Sequence, residues 1–178
     1  MIPPVTISSA RITLKELNPA FLKEYHKNFS PTVRKILHLP PKAKFKETED
    51  YLTSRLLNNR EENTLFYCIF CNKTKKFIGA LEIRDKYFPK GQLGAWLNEK
   101  YWGKGFYQEA VCLALKVYSQ MTRAKKINAR IDVNNIRSLK AHQKMGFKIT
   151  KEFTIKGTKT CCEGLRVYEL TLDLKNIR

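Results

Sequence analysis

The stretch Tyr101-Trp102-Gly103-Lys104-Gly105-Phe106-Tyr107-Gln108-Glu109-Ala110 decides how the rest of the chain is read. Just before it, Gln92-Leu93-Gly94-Ala95-Trp96-Leu97 reads as an apolar, aromatic strand ended by Asn98. Just after it, apolar residues at 110, 111, 113, 114, 117, 118 and 121 recur at helical spacing. Two glycines therefore sit where a strand turns into a helix. Glycine there lets backbone approach a ligand closely, and the unpaired N–H groups of the first helical turn face outward with the positive end of the dipole. Such a turn suits a phosphate or pyrophosphate. It lacks the third glycine of a dinucleotide fingerprint and the Gly-Lys-Ser/Thr ending of a phosphate-binding loop. Taken alone, it reads first as a tight strand–helix connection.

Working outward, Ala10 to Leu17 alternates apolar and polar residues and reads as a first strand. Asn18-Pro19 supplies the cap and first position of a helix running to about Asn28. Pro31 and Pro40-Pro41 break the chain, so 30–47 is expected to be mixed loop and short helix. Thr48 to Asn59 reads as the next helix. Leu65 to Cys71 and Phe77 to Arg84 form a hairpin around Asn72-Lys73-Thr74-Lys75. A polar loop from Asp85 to Lys90 leads into the strand before the glycine turn. Beyond the central helix come a strand from Ile127 to Val133 and a short helix that Ser138 is expected to cap, running to about Lys144. A strand from Phe147 to Ile155, a turn at Lys156-Gly157-Thr158-Lys159 and a strand from Leu165 to Leu174 complete the chain. The order predicts an α+β domain, one mixed sheet with helices on its two faces. Residues 1–178 read as a single domain with no internal linker.

Composition narrows the function. No apolar run is long enough to span a bilayer, and Met1-Ile2-Pro3-Pro4 does not begin a secretory leader, so the expected compartment is the cytoplasm. The five cysteines, at 68, 71, 112, 161 and 162, are odd in number and make no disulfide framework. Cys68-x-x-Cys71 has no second Cys/His pair at ligand spacing, so no metal is expected. Net charge is +18, from 34 Lys/Arg against 16 Asp/Glu. Such a field attracts polyanions, among them RNA, acidic membranes and nucleotide phosphates, although a merely solvated basic surface produces the same balance.

Downstream of the glycine turn lie Asn135-Ile136-Arg137-Ser138 and then Lys144-Met145-Gly146-Phe147. This order of motifs resembles the GNAT N-acetyltransferase superfamily. Within it, Gly94-Ala95-Trp96-Leu97-Asn98 and the Tyr-Trp-Gly-Lys-Gly turn look most like the RimJ/RimL type, the ribosomal-protein alanine N-acetyltransferases. The resemblance covers nearly the whole chain and implies a mixed, twisted central sheet with helices on both faces. It implies acetyl-CoA as co-substrate and an amine as acceptor, best read as a protein N-terminus. A polyamine or aminoglycoside acceptor is the alternative within the class. A non-catalytic acyl-CoA- or RNA-binding module, associating with RNA or ribosomes through the basic surface, is the alternative outside it.

Carried across residue by residue, the resemblance makes Gly103, Lys104, Gly105, Phe106, Tyr107 and Gln108 the pyrophosphate loop. It makes the backbone of Trp96, Leu97 and Asn98 the strand that pairs with the pantetheine arm, in a groove opened by a splay from strand 127–133. Asn135 becomes the residue that holds the pantetheine chain. At Tyr107 the superfamily usually has a small residue, so this corner of the loop is expected to open outward. Ser138 matches the serine proposed as the acid toward the departing thiolate in RimL-like enzymes. His142 occupies a position where many members carry a tyrosine acid. Its spacing from Leu139 and Met145 points it inward. For the base, Glu152 alternates with polar residues and is expected to face solvent. Glu82 is the better carboxylate, Glu163 the next, and a water relay is equally compatible.

Overall fold

Both faces of the central strands are buried, which is why they read as unbroken apolar runs. The computed structural model describes residues 6–58, 64–84, 90–156 and 164–176. Their elements, in order, are β1 (Thr6–Ser8), β2 (Ile12–Glu16), α1 (Leu22–Asn28), α2 (Pro31–Ile36), α3 (Phe45–Asn58), β3 (Leu65–Cys71), β4 (Phe77–Arg84) and β5 (Lys90–Leu97). These are followed by α4 (Phe106–Met121), β6 (Lys126–Asp132), α5 (Ile136–Lys144), β7 (Lys148–Thr154) and β8 (Arg166–Asp173). The strands form one sheet in the order β1-β2-β3-β4-β5-β6-β8-β7. Among the described residues only β5 and β6 run parallel, joined through α4, and the other neighbours pair antiparallel. This is the expected α+β class with a mixed sheet.

Strand alternation divides the core. Leu65, Tyr67 and Ile69 of β3 join Val111, Ala114, Leu115 and Tyr118 of α4 in one cluster. Phe66 and Cys68 point the other way, into a cluster with Tyr25 of α1, Val33 of α2 and Leu52 of α3. Leu14, Ile78, Leu115, Ile127 and Leu170 are fully or almost fully buried. Each contributes roughly 1.5–3 kcal/mol relative to exposure. α4 thus lies against the middle of the sheet, which aims its first turn at the point where β5 and β6 meet. Among the described residues, no helix is long and apolar enough to cross a membrane.

Three expectations change. β1 is an additional three-residue strand held by pairing to β2, too short to carry an apolar pattern. α3 starts at Phe45, not Thr48, because the Glu47 carboxylate accepts from the Lys44 N–H and closes the first turn early. Ser138 is not the cap of α5. Asn135 is, its side-chain oxygen accepting from the Ser138 N–H at 3.2 Å. The loop 85–89, the turn at 157–159, Asn59, Cys161, Cys162 and Glu163 lie outside the described residues.

Candidate active site

The sheet opens at one place. β5 and β6 pair from Lys90↔Lys126 to Leu93↔Ala129 and no further. β5 stays with β4 to its end, and the Asn98 N–H donates to the Ile78 carbonyl. β6 stays with β8 as far as Asp132↔Val167. The two strands therefore diverge and leave a groove of about 480 Å³. Trp96 and Leu97 line it on one side, Arg130 and Asp132 on the other.

The glycine turn closes the open end. Gly103 and Gly105 have φ of +72° and +79°, the left-handed region that disfavours a side chain. Gly105 is the cap of α4 and offers no side-chain hydrogen bond to the first turn. A Cβ on Gly103 would meet nothing within 4 Å, so that face of the loop is open. Gly103, Gly105, Tyr107 and Gln108 line the groove, while the Lys104 ammonium turns away to the Lys100 carbonyl. Phe106 packs on Tyr101 under the Arg11 guanidinium. Arg11 also braces the turn, donating to Glu109 at 2.7 Å and to the Lys104 carbonyl at 2.9 Å. Burial alone would raise the Glu109 pKa. Hydrogen bonds from Ser9 and Arg11, with the Arg11 charge, hold it below the usual carboxylate range.

The groove is cationic. Arg137, Lys140 and Lys144 of α5 face it, against Asp132, which is paired with His38. The Arg137 guanidinium lies 3.3 Å from the centroid of the Trp102 ring and makes no ion pair among the described residues. The indole N–H of Trp102 is fixed on the Leu97 carbonyl at 2.7 Å. An uncapped helix start, two left-handed glycines and a row of cations fit a long polyphosphate ligand with a narrow tail.

Of the expected proton carriers, Ser138 and His142 both line the groove, as does Tyr107. Because Asn135 caps the helix, the Ser138 hydroxyl has no hydrogen-bond partner among the described residues. His142 is 3% exposed, inward as its spacing predicts. Its Nδ1 lies 2.8 Å from the Ser138 carbonyl oxygen, which can only accept, so Nδ1 carries the proton. Burial lowers its pKa despite that bond, so the ring is neutral and Nε2 accepts. The donor is the Tyr107 hydroxyl at 3.0 Å. Tyr107 thus folds inward under α5, and the loop does not open outward at this corner as expected from the residue's bulk. Burial raises its phenol well above the usual range.

The remaining expectations scatter. Asn98 does not line the groove. Its carbonyl side-chain oxygen accepts from Lys100 N, and its amide donates to the Asn28 carbonyl. Glu82 lines an adjoining cavity, with Arg84 Nε at 3.3 Å and Arg55 Nε at 3.6 Å. Glu152 is exposed and paired with Arg166, as alternation predicts. No local pattern announces the His38–Asp132 pair, 2.8 Å apart and separated by 94 positions, or Arg137 on Trp102. His38 carries one local mark, a left-handed φ of +57° on a non-glycine residue. Only the fold reveals it.

Residues 11–148 match the model of the acetyltransferase (GNAT) domain family. An 82-residue segment is 34% identical to the uncharacterized protein MJ1062 of Methanocaldococcus jannaschii, covering 46% of this chain and 17% of that protein. The chain thus spans about a sixth of the length of the curated relative it matches. Among solved structures, one similar fold is an acetyltransferase from Salmonella typhimurium that modifies the N-terminal serine of ribosomal protein L7/L12. Its TM-score is 0.80 at 16% identity, over 96% of this chain and 97% of that one. Another is the ribosomal-protein-S5-alanine acetyltransferase of Vibrio fischeri, TM-score 0.78 at 17% identity, over 98% and 100%. A third is the spermidine N-acetyltransferase of Vibrio cholerae, in complex with CoA and spermine. Its TM-score is 0.77 at 17% identity, over 95% and 99%. At these identities the likeness is one of fold.

Proposed function

Since the chain belongs to the GNAT acetyltransferase family and is an acyltransferase using acetyl-CoA, we propose that its acceptor is the free amine of a protein N-terminus. The observation that carries the reading is the junction of the β5–β6 splay with the uncapped start of α4. In this reading residues 1–178 form one domain working in the cytoplasm, where free thiols persist. Cys68 is a buried packing residue, its thiol pushed up to about 12 by desolvation.

The backbone of Gly103, Gly105, Tyr107 and Gln108 holds the pyrophosphate. The Trp96–Leu97 edge left unpaired by β6 and the Asn135 side chain hold the pantetheine arm. Acetyl transfer needs a neutral amine, a donor for the developing oxyanion and a proton for the departing thiolate. Ser138 supplies that last proton, because its hydroxyl is uncommitted and faces the groove. His142 does not donate. With Nδ1–H on the Ser138 carbonyl and Nε2 filled by Tyr107, it positions α5 and the phenol. The proton lost by the amine leaves through water, since Glu82 is held by two arginines. The basic surface brings the enzyme to RNA-rich ribosomal substrates.

The test is CoA release from acetyl-CoA over a panel of peptides with free N-termini, polyamines and aminoglycosides. Turnover with peptides supports the reading, and turnover confined to polyamines or aminoglycosides replaces the acceptor. Acetyl-CoA binding without turnover on any amine makes the chain a binding module.

A further inference from the structure

On the helical side of β4 and β5 lies a second cavity, of about 710 Å³. Tyr25, Phe29, Phe66 and Trp96 give it an aromatic wall. The wall is rigid. Tyr25 meets Trp96 edge-on with centroids 5.0 Å apart, and the indole N–H donates to the Tyr25 hydroxyl at 3.2 Å. The cavity and the groove share Leu37, Gly94, Ala95 and Trp96, so a ligand in one abuts a ligand in the other. Gly94 keeps the junction narrow-walled, with no side chain between the β5 backbone and Glu82.

The charges of this cavity select its occupant. Arg34, Arg55 and Arg84 line it, against Glu47 and Glu82. Each carboxylate already has a neighbour, although Glu82 Oε2 is buried without a hydrogen-bond partner among the described residues. Glu82 faces Arg84 at 3.3 Å and Arg55 at 3.6 Å, and Glu47 accepts from the Lys44 N–H at 3.2 Å. A polyamine brings several cations and would meet three guanidinium groups against two carboxylates, one of them already flanked by Arg55 and Arg84. Like charges in a partly desolvated cavity repel strongly. An apolar body would cover the aromatic wall, and an anion would offset the surplus guanidinium charge.

We propose that the acceptor is a monoamine on an apolar or aromatic body that also carries a carboxylate. The amine reaches the groove at Gly94–Ala95, and the carboxylate lies toward Arg84 and Arg34. This rests on the acetyltransferase reading above and specifies its substrate. A short peptide and a small amino-acid-like molecule share this chemistry.

The experiment measures CoA release with acetyl-CoA and five probes: the C-terminally amidated tripeptides Ala-Phe-Glu and Ala-Phe-Lys, 4-(aminomethyl)benzoate, 2-phenylethylamine and spermidine. We expect kcat/KM for Ala-Phe-Glu or for 4-(aminomethyl)benzoate to exceed that for Ala-Phe-Lys and spermidine at least about tenfold. Which of the two is better separates a peptide source from a small molecule. Arg84→Gln is expected to lower kcat/KM for the anionic probe about tenfold and to leave 2-phenylethylamine nearly unchanged. Arg34→Gln, away from Glu82, gives the same direction if Arg84→Gln fails to fold. A preference for spermidine or Ala-Phe-Lys, or an anionic preference untouched in the folded variants, overturns the proposal. No release with any of the five probes overturns the proposal, and the wider amine panel above then decides separately whether the acetyltransferase reading stands.

Discussion

The Tyr107 hydroxyl donates to Nε2 of His142 across 3.0 Å, and Nδ1 of the same ring donates to the Ser138 carbonyl. Both ring nitrogens of a buried, neutral imidazole are thereby satisfied. Tyr107→Phe removes the one donor to Nε2 among the described residues while keeping the aromatic volume. The orphaned acceptor is expected to cost roughly 1–3 kcal/mol. Urea denaturation checks this, and a loss below about 0.5 kcal/mol would mean that water replaces the phenol.

The same ring makes stability depend on pH. Burial depresses the folded pKa of His142 below its ordinary 6.5. The unfolded chain therefore binds a proton in a range where the folded protein does not. This contribution is complete above about pH 6.5 and is lost as pH falls below it toward the folded value. Melting temperature is expected to drop from pH 7 to 5.5, with a shallower drop in His142→Gln. Equal slopes in the two proteins would remove His142 from the effect.

Ser138 and Asn135 separate a chemical from a structural role. Asn135→Ala removes the cap of α5 and is expected to cost about 1 kcal/mol. Ser138→Ala removes a hydroxyl without a hydrogen-bond partner among the described residues, and its melting temperature is expected to hold. Its kcat at saturating acetyl-CoA is expected to fall at least tenfold, toward the roughly 10²–10⁴ typical of an acid catalyst. Normal kcat in Ser138→Ala would pass the thiolate to bound water.

Arg137 stacked on Trp102 gives a readout of the groove mouth. Arg137→Gln keeps the helix and removes the cation. Acetyl-CoA is expected to bind about five- to tenfold more weakly, equivalent to roughly 1–1.4 kcal/mol. The loss is expected to shrink as salt rises, because the interaction is ionic. Titration at two salt concentrations by Trp fluorescence checks both, and an unchanged affinity would leave Arg137 as packing only.

Much of the fold was legible because local pattern and global packing agree. β3 and β4 match the sequence reading to the residue, since their apolar runs end in a polar turn at 72–76. The glycine turn and the splay were legible through motif order. What was not legible is long-range pairing. Ser138 and Asn135 are both good capping residues, and only the turn geometry chose Asn135. Nothing near Tyr107 announces that its bulk turns inward onto a histidine 35 positions away. Glu82 sits on the expected strand, but Arg55 comes from α3 and Arg84 from its own strand, so its neutralised environment needed the tertiary fold. The second cavity is walled from α1, α2, α3 and three strands, and no single stretch encodes it.

We place acetyl-CoA in the β5–β6 groove with its pyrophosphate on the start of α4. Gly103→Ala probes it directly. A Cβ there enters open space at the loop, and φ of +72° adds backbone strain of roughly 1–2 kcal/mol. Calorimetric titration of acetyl-CoA into the wild-type protein and into folded Gly103→Ala is the measurement. The prediction is saturable one-to-one binding to the wild type and affinity at least about tenfold weaker in the variant. Equal affinity in the two proteins, or no binding to the wild type, would contradict the account.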